Sequence, residues 1–356
     1  MDRMKKKAGK ILSKGLVLLA ILTIALTSGC SGTKKQQAEQ KVDPQIFLYG
    51  EGHNEEDIQK KEIGIWKRYY DSGIRDLFVE LSYFDAKMLN LWMKSDDNEI
   101  LELLIQGWEG ANVDEELERQ FLTSIKETCP ETVFHGTDVG HDYDTSGKWY
   151  LDYLEKGGQK GSKDFQRTQE NIEQGKYFYD QDHDWAYREN KMVENFIKEY
   201  ETVNGAPVMG IYGATHTDTG GMAYMSDSVP SMAAQLKEEY GNLLYTEDLM
   251  IQREEQMKIG DKEYTAYYYG QIGSDYFGDQ YQSVDYWQLQ DAYDDFKNNE
   301  LGDSVLDEND APFTMAAKRV YVLDFVFPDG TKERKYYRTD EKSFEKLGVA
   351  KEFVVG

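Results

Sequence analysis

The stretch at residues 46–81, IFLYGEGHNEEDIQKKEIGIWKRYYDSGIRDLFVEL, contains two short apolar runs separated by a helical pattern. The runs at 46–50 and 76–81 are rich in strand-forming side chains and are bounded by turn-forming or polar residues. In residues 56–70 the apolar side chains recur along one face of a helix of about four turns. A strand, a helix and a strand of these lengths predict a βαβ unit, which implies a parallel pair of strands.

The same alternation continues along the chain. Further strands are predicted at 132–136, 207–213 and 242–249, and further helices at 85–94, 98–108, 114–128, 184–200 and 231–240. The fold class predicted for residues 45–257 is therefore α/β, with a mostly parallel central sheet flanked by helices.

The character of the sequence changes near residue 257. In residues 263–273 apolar and polar side chains alternate, and tyrosine is frequent. Residues 319–338 predict two strands joined by a Pro-Asp-Gly turn. Residues 258–356 are therefore predicted to form a smaller β-rich C-terminal appendage.

The N-terminus has the pattern of an export signal. Basic residues precede a short apolar stretch at 15–26, and small residues then lead to Cys30. This resembles the lipobox of bacterial lipoproteins, which implies a signal peptide at 1–29, lipid on Cys30 and a flexible tether over 30–44. The resemblance places the folded part at the outer face of the bacterial cell membrane. An uncleaved anchor helix is the alternative.

Composition argues against a protein that binds nucleic acid or anionic lipid and against a fold held by disulfides. The net charge of the chain is −25, and the predicted signal is basic, so the mature part is more acidic still. Such a surface repels nucleic acid and anionic lipid. The chain has two cysteines, so with Cys30 lipidated Cys129 has no partner for an intrachain disulfide.

Polar side chains gather where the predicted strands end. In a parallel sheet all C-terminal strand ends meet at one edge, where ligand and catalytic sites form. Four of the five histidines of the chain lie at or just after such an end. The candidate site residues found in this way are Glu51, His53, Glu80, His135, Asp138, His141 and His216.

Two glycines strengthen this prediction. Gly50 and Gly213 each end an apolar run and each stand three residues before a histidine, His53 and His216. Glycine permits a sharp exit from a strand and a close approach of the backbone to a ligand.

The set YGEGHN, LFVELSYF and IYGATHT resembles the superfamily that joins erythromycin esterases, ChaN-type haem-binding lipoproteins and Tiki/TraB proteins. The resemblance covers residues 45–248 and implies an α/β fold. The site residues that it implies are Glu51, His53, Glu80, Arg188 and His216. His135, Asp138 and His141 rest on the strand-end argument alone.

The resemblance leaves three kinds of chemistry open for these site residues. The Tiki-like pattern implies a divalent metal, Mn²⁺, Co²⁺ or Zn²⁺, held by His53, His216, Glu80 and Glu51. Such an ion would activate water for hydrolysis.

The esterase branch implies chemistry without a metal. His53 would activate water, Glu51 or Glu80 would orient its imidazole, and His216 or Arg188 would stabilise the oxyanion. No Gly-x-Ser-x-Gly motif is present, which disfavours a serine hydrolase.

The ChaN-type relatives imply the third possibility, a surface lipoprotein that binds haem or metal without catalysis. The predicted function is a membrane-anchored extracytoplasmic hydrolase of ester or amide bonds in a small-molecule or peptide substrate. Binding of haem or metal without turnover is the alternative.

Overall fold

A computed structural model of the protein describes residues 43–108, 113–226, 228–273, 280–307, 315, 317–340 and 349–355. The predicted signal peptide, Cys30 and nearly all of the tether lie outside these residues. In the part of the chain that is described, no helix has both the length and the apolar character needed to cross a membrane.

The first sheet is parallel throughout, which confirms the predicted α/β class. Its strands are β1 Ile46–Glu51, β2 Asp76–Ser82, β3 Val133–Asp138, β4 Val208–Gly213 and β5 Leu244–Asp248. Their order is β3-β2-β4-β1-β5. The predicted βαβ unit is present and β1 and β2 are parallel, but they are not neighbours, because β4 lies between them.

Helices cover both faces of this sheet. They are α1 Glu56–Asp71, α2 Tyr83–Trp92, α3 Glu99–Gly107, α4 Glu115–Thr128, α5 Ser146–Lys156, α6 Lys163–Asp180, α7 Trp185–Thr202, α8 Ala214–Thr217 and α9 Met232–Tyr240. Side-chain caps fix several starts, since Ser82, Ser162, Asp184 and Ser231 each accept a hydrogen bond from the first turn of the following helix.

The two faces of the sheet have separate cores. Leu77 and Val79 of β2 pack in the core formed with α1 to α6, whereas Phe78 packs in the core with α7 and α9. Because side chains alternate along a strand, Glu80 lies on the same face as Phe78. Glu80 therefore points towards α7, where Arg188 lies.

The second sheet is antiparallel and follows the first along the chain. Its strands are β6 Arg253–Ile259, β7 Lys262–Gly273, β8 Ser283–Leu289, β9 Leu301–Asp307, β10 Val320–Val326, β11 Lys332–Thr339 and β12 Val349–Phe353, in the order β6-β7-β8-β10-β11-β12-β9, with the short helix α10 at Tyr293–Phe296. The predicted hairpin is the pair β10 and β11. The sheet begins at Arg253, earlier than the boundary predicted at residue 257.

Candidate active site

The ends of β1, β2 and β4 lie side by side, and their side chains converge on one point. Gly213 ends β4 in register with Glu51 of β1. A Cβ atom on Gly213 would lie 3.3 Å from His53 Nε2, 3.4 Å from Glu80 Oε2 and 3.6 Å from His216 Cδ2. The absent side chain of Gly213 thus leaves a space that polar groups from three strand ends surround.

Glu80 is the central acceptor of this cluster. Its Oε1 accepts a hydrogen bond from Arg188 Nη2 at 2.6 Å and lies 3.3 Å from His216 Nε2, while its Oε2 accepts one from Gly213 N at 2.7 Å. Burial by itself raises the pKa of this carboxyl, but His216, Arg188 and His53 outweigh burial and hold the pKa of Glu80 well below its usual range. Glu80 is a carboxylate at neutral pH.

His216 lies between two carboxylates and is buried, with 3% of its surface exposed. Its Nδ1 is 2.8 Å from Glu189 Oε2, and its Nε2 faces Glu80. Burial lowers the pKa of an imidazole, yet the charges of Glu189 and Glu80 overcome burial and raise the pKa of His216 to about 10. At neutral pH the ring is an imidazolium.

His53 is the solvent-facing member of the cluster, with 47% of its side chain exposed. Its Nδ1 lies 3.0 Å from Glu51 Oε1, which leaves Nε2 directed at the point beside Gly213. The hydrogen bond to Glu51 raises the pKa of His53 to about 9, burial opposes this shift, and Glu80 adds to it. When neutral, the ring carries its hydrogen on Nδ1 and has a lone pair on Nε2.

Arg188 joins Glu80 to Asp138 at the end of β3. Its Nε donates to Asp138 Oδ1 at 3.0 Å, and its Nη2 donates to Asp138 Oδ2 at 2.5 Å. Burial raises the pKa of the Asp138 carboxyl, but Arg188 and then His141 hold this pKa below its usual range. The arginine predicted from the family resemblance is thus a buried bridge between two strand ends.

His141 extends the network towards the surface. Its Nε2 lies 3.1 Å from Asp138 Oδ2 and its Nδ1 lies 2.8 Å from the hydroxyl of Tyr179. Asp138 and His141, predicted from their position near a strand end, are therefore connected to the cluster through Arg188.

His135 does not lie at this edge, so the prediction that placed it there is wrong. It is the third residue of β3, because the strand continues to Asp138. Its ring stacks on Phe78 and its nitrogens lie 2.8 Å from Glu199 Oε2 and 2.8 Å from Asp76 Oδ1, at the start of β2. The carboxylates of Asp76 and Glu199 raise its pKa against the opposing effect of burial. His135 thus belongs to a buried ion-pair network.

Sequence reasoning missed Glu189 and Tyr179. Glu189 holds His216 and also accepts a hydrogen bond from Met232 N at the start of α9. The sequence of α7 does contain a signal for Glu189. Arg188 and Glu189 lie one helical turn before the apolar residues of this helix and on the same face. Charged residues inside an apolar stripe indicate buried partners.

Two further acidic side chains, Glu62 and Glu118, lie near Glu51. Glu62 of α1 is 1% exposed, and burial, followed by the charge of Glu51, raises its pKa to about 10. Burial also raises the pKa of the nearby Glu118 to about 8. Burial and the charge of Glu51 therefore favour the protonated form of Glu62 at neutral pH.

The side chains predicted as metal ligands have hydrogen-bond or ion-pair partners within the protein. Each of His216's nitrogens faces a carboxylate, His53 Nδ1 faces Glu51, and the guanidinium of Arg188 contacts Glu80. Among the described residues no group of three or more histidine, cysteine, aspartate or glutamate side chains is arranged to hold a metal ion.

The fold and site define an α/β protein with a histidine–carboxylate–arginine cluster at the C-terminal edge of a parallel sheet. No family model matches the chain, and no curated protein matches it. Two solved structures are similar. A Bacillus cereus protein is 13% identical, with 58% of this chain and 66% of that chain covered and a TM-score of 0.40. A mutant of the erythromycin esterase EreC in its open conformation is 11% identical, with 61% and 73% covered and a TM-score of 0.41. Both are too distant to bear on activity.

Substituting Gly213 with alanine tests whether the space beside it is used. The backbone of Gly213, at φ −50° and ψ 140°, suits any residue, so the new methyl group meets only the polar groups around it. If reacting atoms occupy this space, turnover should fall by about 10²-fold while the melting temperature changes little. Gly64→Ala is the control, because nothing lies within 4 Å of a Cβ there. Full activity in Gly213→Ala would mean that reacting atoms do not occupy this space.

Proposed function

We propose that this protein hydrolyses ester or amide bonds with the cluster of His53, Glu80 and His216. The observation that supports the proposal most is the convergence of these three side chains on the point beside Gly213. A general base, a buried carboxylate and an imidazolium around one open space are the parts that water attack on a carbonyl requires.

His53 is the general base of the proposed reaction. Glu51 holds the Nδ1 hydrogen, so the Nε2 lone pair of the neutral ring faces the space beside Gly213 and removes a proton from water. The water oxygen then attacks the substrate carbonyl carbon. The proton held on His53 Nε2 passes to the departing alcohol or amine.

His216 supplies positive charge where the oxyanion develops. Its ring is held as an imidazolium by Glu189 and Glu80, and its Cδ2 edge faces the reaction space. Such preorganised charge in a buried setting stabilises a transition state strongly. Arg188 is a positioning residue, since it contacts Glu80 and Asp138 rather than the space itself.

Turnover of a panel of aryl and alkyl esters and of amides tests the proposal directly. The full chain should hydrolyse at least one class, and His53→Gln should reduce kcat by about 10²-fold or more without unfolding the protein. Equal activity in His53→Gln would contradict the assignment of the base.

Binding of haem or a divalent metal without catalysis remains the alternative prediction. Metal analysis of the purified chain beside a His53→Ala, His216→Ala double variant addresses the metal, and haem titration monitored at the Soret band addresses haem. Stoichiometric metal that is lost in the double variant would favour metal chemistry over the water activation proposed for His53.

We further propose export and lipid attachment at Cys30, with the catalytic part held outside the cell membrane. The support is the N-terminal pattern of basic residues, apolar stretch and small residues before Cys30. Metabolic labelling with a fatty acid should mark the wild-type chain and leave Cys30→Ala unlabelled.

The pH dependence of turnover should report on His53. Only the neutral ring accepts a proton, so a pKa of about 9 predicts that kcat/KM rises with pH up to about that value. Glu51→Gln removes the main cause of the raised pKa, and the pKa should fall towards its ordinary value of about 6.5. The rising limb of the profile therefore moves to lower pH. Glu55→Gln, at an exposed neighbouring carboxylate, should leave the limb in place. A profile unchanged in Glu51→Gln would show that another group controls it.

A further inference from the structure

The second sheet contacts the loop that follows His216. Arg319, which immediately precedes β10, donates a hydrogen bond from Nη2 to Asp218 Oδ2. Asp218 is two residues beyond His216 and directly follows the short helix α8. The Arg319 side chain is 15% exposed and that of Asp218 is 34% exposed, so water screens this ion pair less than a surface pair.

Asp218 organises the loop in which it lies. Its Oδ1 accepts a hydrogen bond from Gly220 N at 2.9 Å, and its carbonyl accepts one from Gly221 N at 3.1 Å and another from the hydroxyl of Ser231. Ser231 N in turn donates to Gly221 O at 3.1 Å. The loop is thus closed around Asp218, with Arg319 as its contact to the second sheet.

The closed loop reaches the catalytic cluster at a second point. Ser231 caps α9, and the next residue, Met232, donates its backbone hydrogen to Glu189 Oε1. The other oxygen of Glu189 binds His216 Nδ1. Asp218 is therefore connected to His216 along the chain through α8 and also through Ser231, Met232 and Glu189.

We propose that Arg319 is a positioning residue for His216, and that the second sheet serves the site by holding the loop after β4 through the Arg319–Asp218 ion pair. Loss of the guanidinium removes the only charge-assisted contact that is described between Arg319 and this loop. Asp218 then loses its fixed orientation, and the hydrogen bonds around it open more often. His216 and Glu189 also lose part of their fixed orientation, because both are connected to the ends of this loop. The effect on turnover rests on the proposed hydrolase function, whereas the effect on the loop does not.

Arg319→Met, Arg319→Lys and Arg334→Met test this proposal together. Arg334 forms a comparable ion pair with Asp324, at 2.6 and 2.8 Å, but both partners belong to the second sheet. Arg334→Met is therefore the matched control for loss of an arginine from this sheet. Arg319→Lys keeps the charge without the planar fork and should give an intermediate result.

Two measurements do not depend on catalysis. Hydrogen exchange of the amides of residues 214–226 should accelerate by about tenfold or more in Arg319→Met and by less than about twofold in Arg334→Met. The ring resonances of His216 in NMR spectra should move in Arg319→Met and stay in place in Arg334→Met. If the two variants give equal protection and equal His216 resonances, the proposal is wrong.

Turnover adds a third measurement when a substrate is found. We expect Arg319→Met to lower kcat by about tenfold with KM nearly unchanged, and Arg319→Lys to recover part of the loss. Faster exchange with unchanged kcat would show that the ion pair holds the loop without positioning His216. If the wild-type chain hydrolyses no ester or amide, the proposed function fails, and the exchange and NMR results still decide the role of Arg319.

Discussion

Glu80→Gln should abolish turnover while the protein stays folded, with kcat/KM lower by about 10³-fold or more. The carboxylate accepts from Arg188 and Gly213 and faces His216, and its charge also raises the pKa of His53. An amide of the same shape carries no charge, and its nitrogen cannot accept a hydrogen bond. One donor of the cluster therefore loses its partner, and the electrostatic arrangement of both imidazoles changes.

The comparison for this variant is Glu247→Gln, at an exposed carboxylate of β5 that lies near the same edge of the sheet. Esterase or amidase assays with near-ultraviolet circular dichroism separate a loss of chemistry from a loss of structure. A Glu80→Gln protein with wild-type turnover would show that this carboxylate is only structural. The rate loss should appear mainly in kcat, because Glu80 contacts the proposed catalytic groups rather than a distant part of the substrate.

Arg188→Met should produce the largest loss of stability, about 3–5 kcal/mol in the free energy of unfolding at pH 7. The methionine fills much of the same volume, but Asp138, which is buried, and Glu80, whose side chain is 11% exposed, then lack their shared cation. Removal of one partner from a buried ion network leaves uncompensated charge, which costs far more than the loss of a surface pair. Denaturation with urea, followed by circular dichroism, measures the change.

The pH dependence of this loss has a definite sign. In the wild type the pKa of Asp138 is held below its usual range, so its contribution to stability is present above about pH 4 and is lost as the pH falls further. Without Arg188 the pKa of each carboxyl is higher than in the wild type, so both take up protons at higher pH. The destabilisation should therefore shrink between about pH 7 and pH 4.

Arg119→Met provides the control, because Arg119 of α4 pairs on the surface with Glu102 of α3 and Glu116 of α4. This substitution should cost at most about 1 kcal/mol. If Arg188→Met costs no more than Arg119→Met at pH 7, the buried network is not important for stability.

The position of the site at one sheet edge could be predicted because it depends on local patterns. Glu51, His53, Glu80 and His216 each follow or end an apolar run, and parallel strands bring such ends together whatever their separation along the chain. His135 shows the limit of that reasoning. The sequence predicts a strand over residues 132–136, whereas the observed strand continues to Asp138. In the structure Thr137 bonds to the hydroxyl of Tyr212 at 2.9 Å, and Asp138 bonds to Arg188. These distant partners extend the strand and leave His135 inside it.

The amino-acid sequence by itself determined the alternation of strands and helices, the parallel sheet, the antiparallel hairpin after it and the gathering of polar groups at strand ends. These features follow from hydrophobic period and turn residues within short windows of chain. Tertiary structure alone decided that β4 lies between β1 and β2, that Glu189 holds His216 and that Arg319 reaches Asp218. Those pairings depend on which helices and loops pack together and on how much water they exclude, and no local period of the sequence encodes either.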